Sequence, residues 1–233
     1  MRNPKPEHIA IIMDGNRRWA KENNTQTILG HKKGLDTARE ICIYCNENEI
    51  KYLTLYAFSI QNWSRSSKEI DSLFALFLEF FNQKSTFIIE HGMKFNPIGR
   101  IDALDPNVKN QIYKLAEKTK NNIGTCINVA INYGGREEII DAIKKLNNQD
   151  KSIKEISEEH IKQHTYLPDC PDPELVIRTG GISRISNYLL WHIAYSEILI
   201  SEKYWPEFKV SDFQNCINEY MEIDRKFGGA SNE

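Results

Sequence analysis

Short apolar runs alternate with stretches of helical periodicity along most of this chain. The first run, IAIIM at 9–13, is uninterrupted and stops at Asp14 and Gly15. A run of that length bounded by turn residues predicts a buried strand, and NRRWAK behind it predicts a tight turn and a helix start. Leu35, Ala38, Ile41, Cys42 and Cys45 give 34–48 helical spacing, and KYLTLYAF at 51–58 is a β-branched and aromatic strand. After the polar loop SIQNWSR, Ser66 with Glu69 three residues on reads as a capping box. Ile70, Leu73, Phe74, Phe77, Leu78 and Phe81 then predict a long helix reaching about residue 90.

The same alternation continues. Residues 93–98 form a weaker strand, because Pro97 cannot donate to a ladder. Asp105-Pro106 starts a helix carried on by Val108, Ile112, Leu115 and Ala116. TCINVAINY at 125–133 is a strand, turned by Gly134, Gly135 and Arg136 into a helix over 137–146. The polar, Lys-rich segment 147–157 reads as exposed and 157–165 as a short helix. LVIRT at 175–179 is a fifth strand, 187–194 looks helical, and EILIS at 197–201 is a sixth strand. Ser211 or Asp212 is expected to cap a last helix to about residue 226. The predicted class is α/β: a single domain over 1–233, with a mostly parallel six-stranded sheet flanked by helices on both faces.

Composition narrows the function. A formal net charge of -2 leaves no broad basic field, which argues against generic nucleic-acid binding. No apolar run approaches transmembrane length, and MRNPKPE lacks a signal core, so a cytoplasmic protein is expected. Of five cysteines, Cys42 and Cys45 make a C-x-x-C inside a helical pattern, with no second pair. Reduced, packed thiols are preferred there over a redox or zinc site.

In a parallel sheet, ligands bind beyond the carboxyl ends of the strands. The polar motifs fall there: Asp14 to Arg18 after strand one, Ser59 to Arg65 after strand two, Asn132 to Arg136 after strand four, and Arg178 to Gly181 with Arg184 to Asn187 after strand five. Arg17, Arg18, Arg65, Arg178 and Arg184, with His31, would repel one another without an anion, and arginine forks grip phosphate. Ser59, Ser186 and the glycine-turn amides add donors. Asp14 and Glu197 are the acidic exceptions, and one Mg²⁺ would let Asp14 tolerate a polyanion beside it. Phe74, Leu76, Phe77, Phe80 and Phe81 are too many for one helix face. An apolar channel there would suit a substrate with an anionic head and a hydrocarbon tail.

The opening string HIAIIMDGNRRWA resembles the signature of the cis-prenyltransferases, the undecaprenyl diphosphate synthase family. So do GHKKG at 30–34, LTLYAFS at 53–59, NWSR at 62–65, NYGGR at 132–136, LVIRTGG at 175–181, RISNYLLW at 184–191, AYSE at 194–197, WPEF at 205–208 and FGG at 227–229. The resemblance spans nearly the whole chain. It implies repeated Mg²⁺-dependent condensation of isopentenyl diphosphate onto farnesyl diphosphate with cis geometry. The product would be undecaprenyl diphosphate, the precursor of the lipid carrier for cell-wall polysaccharide. It further implies a hydrophobic tunnel for the prenyl chain, a homodimer and peripheral contact with the inner face of the membrane.

By that likeness Asp14 and Asn62 are catalytic, and Asp14 and Glu197 hold the metal. Gly15, Asn16, Arg17, Arg18, Trp19 and His31 bind the allylic diphosphate. Ser59, Ile60, Gln61, Trp63 and Arg65 belong to the loop joining the substrates, and Arg178, Arg184, Ile185 and Ser186 clamp isopentenyl diphosphate. Asn62 is read as orienting the departing diphosphate, which would accept the proton, because a neutral amide is a poor base. The sequence departs from the pattern at Arg17, where glycine is frequent, and at Thr27, where arginine is. Gln61, Ser183 and Lys226 are further departures. A cis-prenyltransferase of another product length and a non-catalytic partner subunit remain open alternatives. An unrelated phosphate-binding protein lacks support, since no P-loop or G-x-G-x-x-G occurs.

Overall fold

The computed structural model describes residues 3–147 and 156–225. Six parallel strands form one sheet in the order β3-β4-β2-β1-β5-β6. They are β1 (His8–Ile12), β2 (Tyr52–Ser59), β3 (Lys94–Ile98), β4 (Cys126–Tyr133), β5 (Leu175–Arg178) and β6 (Glu197–Ile200). The helices are α1 (Asn16–Glu22), α2 (Thr27–Glu47), α3 (Ser67–Glu79), α4 (Thr86–Glu90), α5 (Pro106–Thr119), α6 (Gly135–Asn147), α7 (Glu158–Lys162) and α8 (Val210–Glu222). The expected α/β class and six-stranded sheet are present, and the sheet is parallel throughout.

From Ile9 to Ile12 strand β1 is continuous apolar sequence because both its faces are covered. Ile9 and Ile11 enter a core with Ala38, Ile41, Leu73, Phe77 and Phe213, whereas Ala10 and Ile12 enter a second core with Leu167, Tyr188 and Leu189. Each isoleucine so buried contributes about 1.5–3 kcal/mol. Pro97 is tolerated because β3 lies at a sheet edge. Cys42 and Cys45 are buried free thiols on α2, and burial pushes the Cys42 thiol up to about 12. The packed, unreactive reading of that pair is the one the fold supports.

Three local expectations are corrected. The helix from Ser67 is not continuous: after α3 the backbone widens into a π turn, Phe80–Lys84, before α4. Residues 187–194 form turns, because Ser186, Asn187 and Leu189 hold φ of 49°, 62° and 45°, which no right-handed helix accommodates. Tyr188 and Leu189 are nevertheless fully buried, so the apolar pattern reported packing rather than helicity. Finally, Lys209 precedes the first turn of α8; Ser211 and Asp212 lie inside it, with the Asp212 carboxylate accepting from the Lys209 N–H at 2.9 Å. The family-like FGG end, Lys226 and most of the Lys-rich segment lie outside the described residues.

Candidate active site

The carboxyl edge of the sheet opens into a cleft of about 870 Å³. Asp14, Gly15, Asn16, Arg17, Arg18, His31, Ser59, Asn62, Arg65, Arg178, Arg184 and Ser186 all line it. Leu35, Ala38, Leu73, Leu76 and Phe77, from α2 and α3, line it too. One cavity therefore joins a polar, arginine-rich end to apolar helix walls, which is the pairing expected of a head-and-tail ligand.

Asp14 is held from both sides. Its carbonyl oxygen accepts from Thr179 Oγ1 at 2.7 Å and from the Trp205 N–H at 2.9 Å. Its carboxylate accepts from the Gly15 N–H at 2.6 Å and from Arg178 Nη2 at 2.7 Å, and Arg18 Nη2 lies 3.3 Å away. Gly15 has φ 107°, and a Cβ there would sit 2.7 Å from the Tyr204 ring. Only glycine allows this turn. Gly180, at φ 85°, leaves room in the same way for Arg18, whose Nη1 donates to the Gly180 carbonyl at 2.7 Å and whose guanidinium lies over the Tyr204 ring.

The clamp after β5 is compact. Arg178 donates through Nη1 to the Arg184 carbonyl and to Ser186 Oγ, so one guanidinium organises Asp14 and the 184–186 turn together. Arg184 itself is exposed on the cleft wall, with no carboxylate partner among the described residues. Ser59 starts a 3₁₀ turn, Ile60–Ser64, in which Asn62 Oδ1 accepts the Ser59 N–H at 3.0 Å. The oxygen of Asn62 is therefore used, and its amide NH₂ is the group left for a ligand. A register shift between β2 and β4 at Tyr56 to Ser59 bends this strand end next to the cleft.

Arg65 and Arg17 share one carboxylate: Glu69 Oε1 lies 3.2 Å from Arg65 Nη1 and 3.8 Å from Arg17 Nε. His31 is neutral, since burial, then Arg65 and Arg17, bring its pKa down to about 4. Its Nε2, with Arg18 Nη2 and Arg178 Nε, is buried without a hydrogen-bond partner. Buried polar atoms of this kind are rarely left unpaired, and two guanidinium nitrogens beside an imidazole suit this cavity to an anion.

Six predicted residues are not part of the cleft wall. The Trp19 indole donates to Glu207 at 2.8 Å, Ile185 packs against the second core, and Ile60, Gln61 and Trp63 lie on the turn beside the cleft. Glu197 was expected at the carboxyl edge and is not there. It begins β6 opposite Leu175, which is level with Ile9, five residues before Asp14. At 3.3 Å per residue that is about 16 Å along the strands. Its carboxylate instead meets Arg225 Nε at 3.5 Å. As first residue of the strand read at 197–201, Glu197 already stood at the amino end of a parallel strand, and the register shows how far that end lies from Asp14. Thr179, Trp205, Tyr204 and Asn132 are site-building residues that sequence reasoning left without a role, and Glu69, read only as a capping-box partner of Ser66, turns its carboxylate to Arg65 and Arg17 instead. Most stand in motifs it had noted, but nothing in the string shows that these side chains touch the phosphate-binding turns.

The chain matches the family described as "Putative undecaprenyl diphosphate synthase" over residues 12–228. The ditrans,polycis-undecaprenyl-diphosphate synthase of Micrococcus luteus, specific for (2E,6E)-farnesyl diphosphate, is 43% identical over 228 residues, covering 96% of this chain and 92% of that protein. An isoprenyl transferase of Fusobacterium nucleatum is 42% identical, covering 97% of each chain. The crystal structure of lavandulyl diphosphate synthase from Lavandula x intermedia, in complex with dimethylallyl diphosphate, superposes with a TM-score of 0.93 at 30% identity, covering 97% of this chain and 99% of that one. A probable undecaprenyl diphosphate synthase from Campylobacter jejuni gives 0.83 at 32% identity, covering 97% and 100%.

Proposed function

This chain belongs to the undecaprenyl diphosphate synthase family, and on that premise we propose that it condenses isopentenyl diphosphate repeatedly onto farnesyl diphosphate to give undecaprenyl diphosphate. The observation that carries the proposal is the single cleft that runs from Asp14 and its arginines to the apolar walls of α2 and α3. An allylic diphosphate head would meet Arg17, Arg18 and His31, and its chain would lie between Leu35, Ala38, Leu73, Leu76 and Phe77.

Asp14 fits a metal that is shared with substrate. Among the described residues no three His, Cys, Asp or Glu side chains gather as a ligand set. One carboxylate with diphosphate oxygens and waters is, however, the usual way Mg²⁺ is held. Bound there, Mg²⁺ would withdraw charge from the leaving diphosphate. Asp14 would hold it, and Glu197 lies too far off within one chain to share it.

The chain's own groups do the rest. Arg18 and His31 face the leaving diphosphate, where negative charge grows as the allylic C–O bond breaks; donors fixed in advance stabilise that charge without reorganising. Arg178, Arg184 and Ser186 hold the second diphosphate, bringing the isopentenyl alkene to the allylic carbon. As the new C–C bond forms, the adjacent carbon loses a proton. Asn62 presents an NH₂ rather than a base, so it orients the departing diphosphate, and the diphosphate accepts the proton.

A homodimer fits the exposed edge at β6, where Ile198 is 45% and Tyr195 76% accessible. No described helix is long and apolar enough to cross a membrane, and we assign delivery of the lipid product to peripheral contact. The test is incubation with farnesyl diphosphate, labelled isopentenyl diphosphate and Mg²⁺, with sizing of the labelled product. A C55 chain is expected. No incorporation overturns the proposal, and a different length corrects the product.

A further inference from the structure

The N-Y-G-G-R motif at 132–136 has so far carried no function. Its first residue, Asn132, lies at the end of β4 with φ 51°, only 6% exposed. A side chain in the left-handed region costs about 1 kcal/mol and asparagine tolerates it best, so the position is held by its contacts. Nδ2 of Asn132 donates to the Arg100 carbonyl at 2.9 Å. Its Oδ1 accepts from the indole Nε1 of Trp63 at 2.8 Å, across 69 residues of sequence.

Trp63 stands in the 3₁₀ turn directly after Asn62 and two residues before Arg65, both of which line the cleft. It is 43% exposed, an unusual place for an indole that also packs edge-on to Phe58 at 5.2 Å and stacks on Phe74 at 5.4 Å. Hydrophobic packing alone fixes neither the rotation of that ring nor the height of the turn above the sheet. A directed hydrogen bond to a buried acceptor fixes both.

We propose that Asn132 is a positioning residue: by docking the Trp63 indole onto the end of β4, it holds the turn Ile60–Ser64 in the place where Asn62 and Arg65 face the substrates. The kinetic part of this inference rests on the proposed prenyl-transfer function; the docking part does not.

The rival is a purely structural Asn132 that ties β3 to β4 through Arg100. Three variants of the full chain separate the two. Trp63→Phe removes only the indole donor, Asn132→Ala removes both of Asn132's side-chain bonds while its carbonyl still accepts the Arg100 N–H, and Asn132→Asp keeps an acceptor for the indole while losing the donor to Arg100. Amide hydrogen exchange over 60–65 is read by mass spectrometry, beside kcat and KM for isopentenyl diphosphate. Trp63→Phe and Asn132→Ala are each expected to speed exchange about tenfold and to lower kcat/KM about tenfold, and the double variant to go no further. Asn132→Asp is expected to stay within about twofold of the parent in exchange. Factors that multiply in the double variant, unchanged exchange in Trp63→Phe, or exchange in Asn132→Asp as fast as in Asn132→Ala would each overturn the proposal. Faster exchange without a kinetic loss would overturn it as well. A parent that does not turn over isopentenyl diphosphate sinks the functional reading, while the exchange data still decide the docking.

Discussion

Arg178, the last residue of β5, places Nη2 2.7 Å from Oδ2 of Asp14, just past the end of the neighbouring strand β1. Its side chain is only 4% exposed, against 28% for Asp14. A nearly buried cation thus leans on the one carboxylate that lines the cleft among the described residues, with Arg18 on the carboxylate's other oxygen. The cluster carries a positive excess that suits a diphosphate, and Asp14 is the carboxylate through which these cations would meet a bound metal.

Asp14→Ala is therefore expected to lower kcat by at least about 10²-fold, the scale of losing a preorganised charge partner at a developing anion. The chain should still unfold cooperatively, because Thr179 and Trp205 hold the Asp14 backbone rather than its carboxylate. Steady-state kinetics and thermal unfolding check this together; retained turnover would remove Asp14 from the mechanism.

Arg17 is 61% exposed and its contact with Glu69 is 3.8 Å long. A pair of that kind contributes under about 1 kcal/mol, so Arg17 can be given up to a diphosphate at little cost. If Arg17 stands in for the arginine that the family resemblance implies at Thr27, Arg17→Gly should raise the KM for farnesyl diphosphate about fivefold. An unchanged KM means that Arg17 does not compensate.

His31 is held neutral, with its pKa down at about 4. A diphosphate against Nε2 would reverse the repulsion from Arg65 and Arg17 and raise that value, so binding should take up protons. Calorimetry of farnesyl diphosphate binding near pH 6 in buffers of different ionisation enthalpy should report uptake, up to about one proton, that His31→Gln abolishes. Equal uptake in the variant would place the proton elsewhere.

On the far side of the sheet, His192 is buried between Glu138, 3.2 Å from Nε2, and Asp172, 3.1 Å from Nδ1. Burial opposes its charge, but the hydrogen bonds to Asp172 and Glu138 outweigh burial and raise the pKa from 6.5 to about 9. A raised pKa stabilises the fold fully below the unfolded value of 6.5, and that stability is lost as pH climbs through 9. Urea unfolding should show a decline on the order of 2 kcal/mol between pH 6.5 and 9.5, absent in His192→Gln. A parent curve flat over that window would contradict the charged histidine.

Ala38 lines the apolar part of the cleft from α2, facing a wall built by Leu73, Leu76 and Phe77 of α3. Ala38→Phe should block the growing chain and shift the product to fewer isoprene units, with the KM for farnesyl diphosphate changed less than about threefold. Chromatographic sizing of the labelled product checks it; an unshifted product would place the chain elsewhere.

Much of this was legible in the string. Runs such as IAIIM and LVI are apolar without alternation because both faces of a parallel strand are covered, and the glycines that follow, Gly15 and Gly180, mark turns that favour glycine. Periodicity failed where apolar burial and helicity part company. Residues 187–194 look helical because Tyr188, Leu189 and Ile193 are buried, yet left-handed backbone angles at Ser186, Asn187 and Leu189 break the helix.

By itself, then, the sequence determined the alternation of strands and helices, the carboxyl edge at which Asp14 and the arginines meet, and the family likeness. These are local properties: side-chain period, turn chemistry and motif order. Only the tertiary structure decided which partners each charge has. Arg178 turns to Asp14, Glu69 takes Arg65 and Arg17, Asn132 takes Trp63, and Glu197 meets Arg225. Those pairings depend on strand register and on contacts between residues far apart in sequence. A shift of one residue turns a side chain to the other face, and an acid at the start of a strand lies a whole strand length away from one at its end.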